Sequence, residues 1–166
     1  HLISDYIKTY EKLKNINPKI EFSSDFIIGY PGESDEDFNA TFDLIKNIKF
    51  INSFSFIFSP RPGTPASNLD LIDKEISLER LEKVQKQLFK NQIEMNRRLE
   101  NQEIMVLVEN KTNESTKLFG RSEYMTPVIL DGNDEEVGNV IKVKIKSSNQ
   151  NTLFGISSNN LEKKVA

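Results

Sequence analysis

The sequence predicts an α/β unit followed by a small all-β barrel, and three observations predict it. Two short apolar runs stop abruptly in Gly/Pro turns: Ser23–Glu33 (S-S-D-F-I-I-G-Y-P-G-E) and the segment ending in Ser59–Pro65 (S-P-R-P-G-T-P). One amphipathic helical pattern lies between them, so the order is strand, loop, helix, strand, loop, with ligand-facing loops at the strand carboxyl ends. From Glu103 onward the hydrophobic period drops from about 3.6 residues to about 2. The division falls near Asn101, placing residues 1–101 in the first unit, 102–158 in the second, and 159–166 in a tail expected to fray.

Each element follows from a local signal. Ser4 is a candidate N-cap for a first helix reaching about Asn15, with Ile7, Tyr10 and Leu13 on one face, and Asn17-Pro18 ends it. A strand is expected over Ile20–Ile28. Ser34 caps the next helix, whose first turn carries Asp35, Glu36 and Asp37, acids that the helix dipole favours there. Phe38, Phe42, Ile45 and Ile48 form its inward stripe. A second strand is expected over Ser53–Ser59, then a long helix over Ser77–Gln102 with Leu78, Leu81, Val84, Leu88, Met95 and Leu99 at helical spacing. Short strands flanked by helices read as consecutive β/α units of a parallel sheet or barrel. Two strands do not make a stable sheet alone, so further strands are expected from elsewhere.

In the second unit, Ile104–Val108, Val128–Leu130, Val140–Ile145 and Thr152–Ile156 are the expected strands, with turns at Asn110–Asn113, Asp131–Asn133 and Ser147–Asn151. Ile141, Val143 and Ile145 alternate with Lys142, Lys144 and Lys146. Such short strands fit a closed barrel of OB-like size.

Composition narrows the function classes. The 166 residues carry a net charge of −3 and no cysteine, which excludes disulfides and thiolate metal ligands within the chain. A reducing, cytoplasmic setting is compatible with that. His1 is the single histidine and is terminal, so no histidine dyad is expected. No apolar run approaches the roughly 20 residues that span a bilayer, and no membrane partner is expected. The start at His1, without Met, reads as a cut in a longer protein.

Four motifs carry candidate chemistry. Asp25 lies inside an apolar strand, on one face with Ser23 and Ile27. A buried carboxylate is costly unless paired, so it serves either a salt bridge to an unseen residue or as acceptor for ligand hydroxyls. Gly29 and Gly32 allow close backbone approach; with no Lys and three acids following, this turn is not a phosphate loop. The Pro60–Pro65 loop presents Arg61 stiffly, either as an exposed connection or toward a carboxylate, a phosphate or an RNA base. In the second unit the Lys142/Lys144/Lys146 face and a Phe119-Gly120-Arg121 turn are candidates for a phosphate backbone. Against this, residues 102–166 hold eight Lys and Arg beside nine acids, and lysine rows on strands also serve as solvated or edge-protecting faces.

Taken in order, D-F-I-I-G-Y-P-G-E (Asp25–Glu33), F-S-F-I-F-S-P-R-P-G-T-P-A (Phe54–Ala66) and L-F-G-R-S-E-Y-M (Leu118–Met125) resemble the carboxyl-terminal part of the radical S-adenosylmethionine methylthiotransferases. The resemblance runs from His1 to about Ser158 and favours the tRNA-modifying branch that makes 2-methylthio-isopentenyladenosine. It implies that the two strands are the fifth and sixth of a six-stranded partial β/α barrel of TIM-like, radical-SAM type, followed by an RNA-binding TRAM barrel. It implies S-adenosylmethionine contacts at Asp25 (ribose), Ile27 (adenine), Gly29, Phe58 and Ser59, and tRNA contacts at Arg61, Arg121, Lys142 and Lys144. No catalytic residue and no metal ligand is implied in this segment.

The family's two 4Fe-4S clusters are held by cysteines, in a C-x-x-x-C-x-x-C loop and an amino-terminal domain, that this chain lacks. The resemblance therefore implies that the clusters and the radical chemistry belong to a longer parent and that the segment alone is inactive. The parent's implied partners are the tRNA anticodon stem-loop and sulfur and electron donors. Two alternatives stay open: a methylthiotransferase acting on threonylcarbamoyladenosine or a ribosomal protein, and a non-catalytic RNA-binding module.

Overall fold

A computed structural model describes residues 3–114 and 117–158; the expected tail at 159–166 lies outside them. The order is α1 (Ile3–Ile16), β1 (Asp25–Ile28), α2 (Asp35–Ile48), β2 (Phe54–Ile57), α3 (Lys74–Leu99), β3 (Glu103–Lys111), β4 (Lys117–Ser122), β5 (Pro127–Asp131), β6 (Val140–Ser148) and β7 (Leu153–Ser157).

β1 and β2 pair in parallel, Asp25 opposite Phe54 and Ile27 opposite Phe56. Both strands are shorter than the sequence suggested, because each has only the other as a neighbour. The extended chain continues at either end through Ile51 N donating to Phe22 O (2.9 Å) and Phe58 N to Ile28 O (2.8 Å). Phe26 and Ile28 point into a core with Phe38, Ile45, Ile48, Phe50, Val84 and Leu88 from the helices. The predicted stripe of α2 is thus the packed one, with Phe42 at its margin. Ser34 caps α2 as expected: its hydroxyl accepts from Asp37 N, and the Asp37 carboxylate accepts from Ser34 N (3.0 Å) and Ser34 Oγ (2.7 Å).

The five later strands form a closed barrel in the order β3-β4-β5-β7-β6, with β6 pairing back onto β3. Val106, Val108, Val128, Leu130, Val143, Ile145 and Leu153 fill it. One strand differs from expectation. Phe119-Gly120-Arg121 is the middle of β4, not a turn. A Cβ on Gly120 would stand 2.4 Å from the Leu107 carbonyl oxygen, so this glycine permits close approach of β3, beside the register shift between Val108 and Asn110.

α3 joins the two units. It starts earlier than the hydrophobic pattern suggested, because the Asp73 carboxylate accepts from Glu75 N (2.8 Å) and Ile76 N (3.3 Å). Val84 and Leu88 pack on the α/β core, whereas Met95 and Leu99 pack into the barrel. Leu78 stays exposed, while Ser77, Arg80, Asn91 and Asn96 are buried polar residues on the inward face. Asn96 Nδ2 donates to the carbonyls of Asn149 (2.9 Å) and Gln150 (3.0 Å) in the β6–β7 turn. Asn96 also accepts from Gln92 Nε2 (3.0 Å), whose Oε1 accepts from Asn52 N (2.8 Å), and Asn52 Nδ2 donates to Tyr124 O (2.6 Å). No helix among the described residues is long and apolar enough to cross a membrane.

Candidate functional site

Of the five residues expected to meet a cofactor, Ile27, Phe58 and Ser59 come together at the carboxyl ends of β1 and β2, while Asp25 and Gly29 do not line the same cavity. Ile27, Phe56, Phe58, Ser59 and Arg61 line one open cavity of about 500 Å³, with Thr64 on its rim. The Phe58 ring is held edge-on against Tyr30, centroids 5.0 Å apart. The Pro65–Asn68 turn closes the loop beyond, where Thr64 Oγ1 donates to Arg61 O (2.8 Å) and Ser67 Oγ to Thr64 O (2.6 Å). Arg61, expected with the RNA-facing residues, therefore sits with the cofactor group and apart from the barrel.

Asp25 lies on the same sheet face as Ile27, one residue pair further from the cavity. It is exposed, so the premise that it is a buried carboxylate does not hold in this chain, and its carboxylate has no partner among the described residues. The reason is the sheet itself: Asp25, Ile27, Phe54 and Phe56 share a face that no element among the described residues covers, and Ile27, Phe54 and Phe56 remain 59%, 63% and 53% exposed.

The turn after β1 is held from behind. Gly29 has φ +72°, and a Cβ there would stand 2.6 Å from Ser77 Oγ, so its close approach is to α3. Gly32 has φ +87° with open space around it; it is required for the turn's conformation, not for contact. Glu33 folds back so that its Oε2 accepts from Gly29 N (3.1 Å). Its other oxygen accepts from Arg80 Nη1 (2.6 Å), which also donates to Glu33 O (3.1 Å), while Arg80 Nη2 donates to Asp35 Oδ1 (2.6 Å). Burial works against the Arg80 charge, and the hydrogen bonds to Asp35 and Glu33 outweigh it, so its pKa lies above the ordinary arginine value. Sequence reasoning missed Arg80 because it sits in a helix dense in charges; its offset of three from Ser77 and four from Val84 was the available signal.

Arg121, Lys142 and Lys144 lie on the outer face of the barrel, separated by β3. Arg121 pairs across to Leu107, Lys142 to Met105 and Lys144 to Glu103, so the Arg121 and Lys142 backbones stand ~12 Å apart, two strand spacings across and two residues along. Arg121 Nε lies 3.2 Å from Glu109 Oε1, and its guanidinium covers the Phe119 ring at 5.8 Å. Met105, Leu107 and Val140 are exposed between these charges. The face is mixed apolar and basic with acids interleaved, not a continuous basic stripe. Arg121 also lines a groove with Ser53, Phe54 and Phe89, at the amino end of β2, whereas the cavity lies at the carboxyl end of the same strand.

The barrel and the end of the helix that carries it have a counterpart: residues 97–156 match the TRAM domain, beginning in the last turn of α3 and ending in β7. Over its whole length the chain is also similar to proteins named tRNA-2-methylthio-N(6)-dimethylallyladenosine synthase. One from Pelagibacter ubique (strain HTCC1062) is 60% identical over 166 residues, covering 100% of this chain and 37% of that protein. One from Zymomonas mobilis (strain ATCC 31821 / ZM4 / CP4) is 38% identical over 156 residues, 93% of this chain and 35% of the relative. One from Wolbachia pipientis of Culex pipiens (strain wPip) is 36% identical over 161 residues, 95% and 37% respectively. The resemblance to the tRNA methylthiotransferases thus holds across the chain, which spans a little over a third of the length of these relatives.

Proposed function

We propose that this chain is the carboxyl-terminal portion of a methylthiotransferase acting on dimethylallyl(isopentenyl)adenosine beside the tRNA anticodon. Its α/β unit supplies one wall of an S-adenosylmethionine site, and its TRAM barrel supplies a tRNA contact. The observation that carries the reading is convergence: Ile27, Phe58 and Ser59, assigned separately from two sequence motifs, line one cavity beside the Gly29 turn.

The residues present fit the cofactor. An adenine ring needs apolar walls, which Ile27, Phe56 and Phe58 offer; a ribose needs a hydroxyl acceptor on the same face, which the unpartnered Asp25 carboxylate offers. When bound, S-adenosylmethionine, with clusters held by cysteines elsewhere in the parent, supplies the radical and methyl chemistry. The chain's own part is to orient the cofactor and exclude water. The exposed apolar face of Ile27, Phe54 and Phe56 supports further strands of the parent covering it, as the interior of a partial β/α barrel. On the barrel, Arg121, Lys142 and Lys144 meet tRNA phosphates, and the exposed Leu107 and Val140 lie between them. Arg61, at the cavity rim, reaches the tRNA where the target base enters.

The test uses the full-length protein with its clusters in place. Asp25→Ala weakens S-adenosylmethionine binding and leaves the cluster spectra unchanged, measured by equilibrium dialysis and optical spectroscopy. Unchanged cofactor affinity would sink the ribose assignment. A full-length protein that binds tRNA but no cofactor leaves the non-catalytic RNA-binding module as the reading.

A further inference from the structure

We propose that Arg80 of α3 is the positioning residue of the Gly29–Glu33 turn, holding through Glu33 the backbone whose Tyr30 packs against Phe58 of the cofactor cavity. This rests on the cofactor reading above and adds the element that shapes the site from behind.

Three observations carry it. The Arg80 side chain is only 8% exposed and Glu33's 12%, which is unusual for charged groups and occurs where both are engaged. The engagement is directional. Arg80 uses two nitrogens on two carboxylates, at 2.6 Å each, and a third bond returns to the Glu33 carbonyl at 3.1 Å. A lysine, as a single point charge, does not reproduce that fork. The second oxygen of Glu33 then accepts from Gly29 N at 3.1 Å, so one carboxylate ties the guanidinium to the first residue of the turn.

The turn also meets α3 at Ser77, one helical turn before Arg80, where a Cβ on Gly29 has no room. The Arg80 guanidinium lies over the Phe38 ring at 5.3 Å, which fixes its plane against α2. Gly29 and Gly32 both require positive φ, a backbone with many alternatives when unheld. Glu33 and Arg80 remove those alternatives before a ligand arrives, so ordering the turn is not charged to binding.

A purely structural role for Arg80 makes a different prediction, and the test separates the two. In the full-length, cluster-loaded protein, Arg80→Lys and Glu33→Gln lower S-adenosylmethionine affinity roughly ten- to hundredfold, as removal of an outer support does. tRNA affinity stays unchanged, and the double variant is no weaker than the worse single one. Val84→Ala, which opens the same α/β core without touching the turn, lowers the thermal midpoint and keeps wild-type cofactor affinity. A folded Arg80→Lys protein that binds cofactor as the wild type does overturns the proposal. So does a loss of affinity that tracks the thermal midpoint across all variants, Val84→Ala included. A wild-type protein that takes up no cofactor is a distinct result, overturning the cofactor reading and the positioning role with it.

Discussion

In the barrel every strand has a partner on both sides, and Val106, Val128, Leu130, Val143, Ile145 and Leu153 are all completely buried. In the β1–β2 pair each strand has one partner, Phe26 and Ile28 are buried on one face, and Ile27, Phe54 and Phe56 stand more than half exposed on the other. The barrel satisfies its own edges and takes Ile51, Met95 and Leu99 into its core from outside; the parallel pair satisfies half of its edges and one face. The difference teaches where each region's function lies. The barrel's free surface is the outside of a closed sheet, whereas the α/β unit keeps an apolar sheet face uncovered among the described residues.

Separating the two regions gives the sharpest test. Residues 94–158, which keep Met95 and Leu99 against the barrel core, melt cooperatively as an isolated polypeptide. Residues 3–93, holding two strands and an open apolar face, do not. Circular dichroism melts and amide-proton dispersion read the outcome. A cooperative transition in the α/β piece alone would break the contrast, because it would mean the uncovered face costs nothing.

Within the intact chain the same contrast predicts unequal mutational costs. Leu130→Ala, at a fully buried barrel position, lowers unfolding free energy by about 2–5 kcal/mol. Ile27→Ala, an equally apolar truncation on the open face, changes it by less than about 0.5 kcal/mol. Urea titration of the two variants checks both values. If Ile27→Ala proved as costly as Leu130→Ala, the face would be covered in the chain as it stands.

The barrel was more legible in the sequence than the α/β site. Alternation of Ile141, Val143 and Ile145 with lysines requires one buried and one open face, and the barrel has both. β4 was lost because Gly120 reads locally as turn punctuation, and only the Leu107 carbonyl across the pair explains it. Ile27, Phe58 and Ser59 of the cavity lie in the sequence motifs, but their exposure is not legible there: a strand of D-F-I-I pattern looks buried on both faces wherever the missing neighbours are assumed. Arg80 was invisible for the opposite reason. A charged helix residue is read as solvated unless its carboxylate partners, here 45 and 47 residues away in sequence, are known to meet it.

The smallest effect concerns how α2 begins, and it connects the open region's acids to pH. The Ser34 hydroxyl and Ser34 backbone N–H both donate to the Asp37 carboxylate, and these bonds hold its pKa below the ordinary aspartate value of 3.8. A carboxyl whose folded pKa is depressed contributes stability above its unfolded pKa and loses it as pH falls through the folded value. The α2 start is therefore fully secured at neutral pH and loosens only below about pH 4. Hydrogen exchange at the Phe38 amide, which donates to Ser34 O at 3.1 Å, reports the loosening; base- and acid-catalysed exchange are separated by referencing to an unstructured peptide. Asp37→Asn removes the pH dependence while keeping an acceptor in place, and the amide is then equally exposed at either pH. Because Asp35 on the same turn accepts from Arg80, a loosened α2 start also weakens one arm of the Arg80 fork. The barrel has no such link to the Gly29 turn, so its amides between β3 and β6 stay protected through the same acidification. If barrel and α2 amides lost protection together, the two regions would be one cooperative unit, and the contrast between a closed sheet and an open one would not extend to their stability.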